Sequence, residues 1–125
     1  MPLQPGLAAT VALDVTESDT ALAFRSGDVP VLATPRLIAL CEEAAMAAVA
    51  DVMPEGHTNV GMRVQIDHLA PTAVGQKVTA EATLEKVEGR RLTFTVSATD
   101  ERGLVAAGKV TRVMVEVDRF LDKLL

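Results

Sequence analysis

The strongest constraint in this sequence lies between Thr34-Pro35 and Pro54-Glu55-Gly56. From Arg36 to Met53 there is neither glycine nor proline, and alanine recurs throughout. Alanine is the best helix former, and proline suits a first helical turn, where its missing N–H is no loss. The spacing predicts a long central helix of about five turns. Thr34 is expected as its N-cap and Pro54-Glu55-Gly56 as its stop. Whatever this chain folds into must cover one long helix.

The flanking segments read as strands. Residues 7–15 are rich in Val and Ala, and residues 16–30 read as a loop with a short turn. Beyond the helix, four strands are predicted, over residues 59–69, 77–87, 90–99 and 104–117, with a short helix from Asp118. Two of them alternate cleanly: Val78, Ala80, Ala82 and Leu84 against Thr79, Glu81 and Thr83, then Leu92, Phe94, Val96 and Ala98 against Thr93, Thr95 and Ser97. The order predicts an α+β fold. A highly curved antiparallel sheet wrapped round one helix, the hotdog arrangement, fits it, as do other single-helix layouts. The 125 residues predict a single domain over 1–125.

Composition narrows the function. The net charge of −5 gives no basic footprint for nucleic acid, and three Phe with no Trp or Tyr give no stacking platform. One cysteine and two histidines make a poor metal inventory, so no metal site is expected. No apolar run reaches the roughly 18 residues of a membrane helix. The segment Met1–Gly6 lacks the features of a signal peptide. A soluble, cytoplasmic protein is expected.

Three residues break the pattern. On a helical wheel, Glu42 falls among Ile38, Met46, Val49 and Met53, opposite Arg36, Glu43 and Asp51. A carboxylate on a buried face costs several kcal/mol unless it is paired or hydrogen-bonded. Glu42 is therefore either a structural anchor or a catalytic base. His68 ends the inward row Met62, Val64, Ile66, and could equally be a satisfied core histidine. Thr34 sits beside free N–H groups and a partial positive potential, which suit an oxyanion. His57 falls in a loop and receives no role.

The segments Val31-Leu32-Ala33-Thr34, Leu40-Cys41-Glu42, Asn59-Val60-Gly61, Asp67-His68, Val87-Glu88-Gly89-Arg90-Arg91-Leu92 and Val96-Ser97-Ala98-Thr99-Asp100 resemble the fluoroacetyl-CoA thioesterase family of hotdog enzymes. The resemblance spans roughly residues 30–120, and Thr34, Glu42 and His68 fit the spacing of the family's catalytic trio. It implies hydrolysis of a small acyl-CoA thioester, with no cofactor beyond the coenzyme A of the substrate. Thr34 would position the thioester. Glu42 would activate water or attack directly, and His68 would serve the departing thiolate. Gly61 and Arg112 would bind substrate. The family resemblance also implies a homodimer with sites at the interface, and a dimer of dimers as a further option. The stretch Phe24–Pro30 is shorter and less aromatic than the family's lid, which implies a generic acyl group rather than the fluorinated one. The rival readings are a non-catalytic acyl-CoA-binding module and an enoyl-thioester hydratase.

Overall fold

A computed structural model describes residues 2–125. In chain order the elements are β1 (Ala8–Asp14), a 3-10 turn (Glu17–Asp19), α1 (Ala21–Phe24) and α2 (Thr34–Val49). A second 3-10 turn (Ala50–Val52) precedes β2 (His57–His68), β3 (Lys77–Glu88), β4 (Arg91–Asp100), β5 (Gly103–Glu116) and α3 (Val117–Asp122). The five strands form one curved antiparallel sheet in the order β1-β3-β4-β5-β2. Helix α2 lies on its inner face, chiefly against β1 and β3. This is the hotdog arrangement. Among the described residues, no helix is long and apolar enough to cross a membrane.

The alternation in β3 and β4 is realised as read. Ala80 faces Ala98, Ala82 faces Val96 and Leu84 faces Phe94, and all six side chains are buried. Their neighbours Glu81 and Thr95 point outward to solvent. Phe94 is the one aromatic residue in the core, since Phe24 and Phe120 are exposed. With so little bulk between layers, Ala44, Ala45 and Ala48 of α2 are buried and let helix and sheet approach closely.

The helix differs from expectation in two ways. Its buried stripe is Leu37, Leu40, Cys41, Ala44, Ala45, Ala48 and Val49. Met46 is 43% exposed and Ile38 only half-buried, so these two flank the buried stripe, whose large members are Leu37, Leu40 and Val49. Glu42 thus stands at the border of the core, not within it. The N-cap is Ala33, which makes no side-chain cap bond, and Thr34 is the first helical residue. Pro35 occupies the second position, which also lacks an intrahelical acceptor for its N–H, so the proline did not locate the cap. The C-terminal helix starts at Val117, one residue before Asp118, with Glu116 as its N-cap.

β2 is an edge strand. It pairs with β5 along its length, with an extra residue, Met62, bulged between Gly61 and Arg63. Among the described residues, its other edge carries no strand. Met62 (43% exposed) and Val64 (37%) are left open beside it.

Candidate active site

Two clusters of polar side chains hang on β2. The first is at its far end. The Thr34 hydroxyl and His68 Nδ1 are 2.8 Å apart, a hydrogen bond that joins the first residue of α2 to the last of β2. The hydroxyl freed from capping duty is spent here. Burial pulls the pKa of His68 below its ordinary value, opposed in part by a hydrogen bond with the Ala70 backbone. Its Nε2 is buried and has no hydrogen-bond partner. A buried ring nitrogen without a partner costs free energy that native folds rarely leave uncompensated. A groove of about 300 Å³ opens beside the pair, bounded by Ser26, Gly27, Val31, Leu69 and Pro71.

The second cluster centres on Arg112, which is only 5% exposed. The guanidinium donates Nε–H to Asn59 Oδ1, one terminal N–H to the Asn59 backbone carbonyl at 3.0 Å, and another to Glu42 Oε2 at 2.9 Å. Burial lowers the pKa of Arg112 and the Glu42 carboxylate raises it again. Glu42 therefore escapes the penalty of an unpaired carboxylate through an ion pair with a residue 70 positions away. Its Oε2 lies directly over Gly61, where a Cβ would stand 2.6 Å from that oxygen. Any larger residue there would push the carboxylate from its place. The neighbouring Cys41 is buried, and its thiol pKa is pushed up to about 11, so it is inert.

The structure thus brings Thr34 to His68, and Glu42 to Gly61 and Arg112. No hydrogen bond or ion pair joins the two clusters among the described residues. Thr34 and Glu42 lie about 12 Å apart along the helix, at 1.5 Å per residue. The sequence reading missed Asn59, a buried residue whose side-chain oxygen and backbone carbonyl accept two of the three bonds from Arg112. Strict alternation from the row Met62, Val64, Ile66 and His68 puts Asn59 on the outward face; the bulge at Met62 turns it inward. His57 is the first residue of β2, half-buried, with Nδ1 3.0 Å from the Glu55 carbonyl. No three His, Cys, Asp or Glu side chains among the described residues gather to hold a metal ion.

The FlK family model, fluoroacetyl-CoA-specific thioesterase, matches residues 15–118. The chain belongs to this family of thioesterases. It is 34% identical to the fluoroacetyl-CoA thioesterase of Streptantibioticus cattleyicolor over 93 residues, 74% of this chain and 67% of that one. The solved structure of the fluoroacetyl-CoA thioesterase FlK superposes with a TM-score of 0.93 at 28% identity, over 99% of this chain and 96% of that one. A Phe-to-Ala variant of FlK, solved in complex with fluoroacetate and CoA, matches with a TM-score of 0.88 at 28% identity, over 94% of this chain and 99% of that one. A hot-dog-like protein from Thermanaerovibrio acidaminovorans has a TM-score of 0.89 at 27% identity, over 98% of this chain and 90% of that one.

Proposed function

We propose that this member of the family hydrolyses a small acyl-CoA thioester to free acid and CoA, at sites shared between two copies of the chain. The observation that supports this most strongly is the buried, partnerless Nε2 of His68 beside an open groove. With Thr34 donating to Nδ1, a neutral ring would carry its proton on Nε2 and offer it to a substrate in the groove. A second copy completes the site. The free edge of β2 is a template for another strand, and a two-fold axis near Val64–Ile66 pairs the two β2 strands antiparallel. That lays His68 of one chain beside the Gly61 end of the other, so that each site holds Thr34 and His68 from one protomer and the partner subunit's Glu42. The exposed Met46, Met62 and Val64 are then covered.

In such a site the Glu42 carboxylate takes the proton of a water as it adds to the thioester carbonyl, or adds to it directly and is released by water. The carbonyl oxygen becomes an oxyanion near the start of α2, where Thr34 and Arg36 have N–H groups without intrahelical acceptors. The carbon–sulfur bond breaks, and His68 Nε2–H protonates the leaving thiolate. The products are the acid and free CoA. The residues do this with water and need no cofactor of their own. A cytoplasmic location fits a substrate of this kind.

Release of free thiol from a panel of short acyl-CoA esters, acetyl and fluoroacetyl included, tests the reading. Turnover on at least one ester is expected. Acyl-CoA binding by calorimetry with no thiol released from any ester would make the chain a binding module.

A further inference from the structure

We propose that Asn59 is a positioning residue for hydrolysis, acting on Glu42 through Arg112. This rests on the assignment of Glu42 as base or nucleophile. An arginine side chain is long, and a single ion pair to a carboxylate leaves it several rotamers. Here the guanidinium is fixed at three points. Asn59 accepts twice, through its side-chain Oδ1 and its own backbone carbonyl. These two bonds hold Nε and one terminal nitrogen, and they leave the other to reach Glu42 Oε2 at 2.9 Å. Asn59 is 4% exposed, so water does not compete for these bonds.

The consequence falls on Glu42. Its Oε2 is pinned between Arg112 and the bare Cα of Gly61. Its Oε1 makes no hydrogen bond among the described residues, so one defined oxygen faces the reaction. An unanchored arginine would let the carboxylate rotate and share both oxygens. Reacting groups displaced by about 1 Å lose rate on the order of a hundredfold. Asn59 therefore sets which lone pair meets water or the thioester, without touching substrate.

Steady-state kinetics of Asn59→Ala, Arg112→Ala and the double variant test this. Asn59→Ala is expected to lower kcat about ten- to a hundredfold with KM little changed. In the Arg112→Ala background the same change is expected to have little further effect, because its route to Glu42 is gone. Asn59→Ser keeps a side-chain acceptor and is expected to recover most of the lost kcat. It also carries the test if Asn59→Ala does not fold, with Asn59→Asp, of the same shape but competing with Glu42 for the guanidinium, expected to lower kcat. An unchanged kcat in the alanine variant, or an equal loss with and without Arg112, overturns the proposal. Should only Asn59→Ser and Asn59→Asp fold, equal kcat in both overturns it. An inactive wild type would instead remove the functional reading beneath it.

Discussion

Glu42→Gln is expected to lower kcat for acyl-CoA hydrolysis on the order of a thousandfold, within the 10²–10⁴ range of a positioned general base. Fold and acyl-CoA affinity are expected to stay near wild type. The amide has the volume of the carboxylate and still offers one oxygen to Arg112 at the place where Oε2 now sits 2.9 Å away. It also clears Gly61 as the carboxylate does. What it lacks is a basic or nucleophilic oxygen. Glu43→Gln, one residue along on the exposed side of the same helix, is the control and is expected to leave kcat unchanged. Thiol-release kinetics with thermal unfolding of each variant check this. A Gln variant keeping a tenth or more of wild-type kcat would remove Glu42 from the chemistry, and a variant that binds no acyl-CoA would make it a binding group.

The second large effect concerns the strand that carries both clusters. Gly108 of β5 lies opposite Ile66 of β2. A Cβ on Gly108 would stand 2.0 Å from the Gln65 carbonyl oxygen and 2.7 Å from the Ile66 Cα. Those obstacles are backbone and cannot rotate away, so β2 must leave β5 for even one methyl group to fit. Gly108→Ala is expected to cost about 3 kcal/mol or more, at the upper end of overpacking effects. That corresponds to a fall in Tm of roughly 10 °C or more for a domain of this size. Activity should fall with it, since Asn59, Gly61 and His68 all sit on β2. Gly89 makes the useful contrast. It has a φ of +62° but open space around it. Asparagine tolerates that conformation, so Gly89→Asn is expected to cost under about 1 kcal/mol. Denaturant melts of the two variants separate the mechanisms; a Gly108→Ala protein as stable as wild type would contradict the packing described.

Much of the fold was legible because it is written in local periodicity. The glycine-free run gave α2, and the alternation at Val78–Leu84 and Leu92–Ala98 gave the inner faces of β3 and β4. The buried side of α2 was harder. It combines three alanines with Leu37, Leu40, Cys41 and Val49, and is rotated round the helix from the face marked by Ile38, Met46 and Met53, which lie at the rim. Glu42 was singled out for being surrounded by apolar residues, but its actual environment is an ion pair with Arg112, which no helical pattern contains. Thr34 was placed one position too early, as a cap, and its bond to His68 spans 34 residues. Contacts of that range are made by the register of β2 on β5 and by the packing of α2. Only the spacing shared with a known family pointed to Thr34, Glu42 and His68 together, and Asn59, which the spacing did not single out, appears in the three-dimensional arrangement alone.

The shared site has a direct test in mixed dimers. Glu42→Gln and His68→Asn chains, each inactive as homodimers, are co-expressed with different tags, and the heterodimer is isolated by both tags in turn. One of its sites combines the intact Glu42 of one chain with the intact His68 of the other, while its second site carries both changes. Turnover of about half the wild-type rate per dimer is predicted, one working site of two. A heterodimer no more active than either parent would place Thr34, Glu42 and His68 in a single protomer and contradict the account.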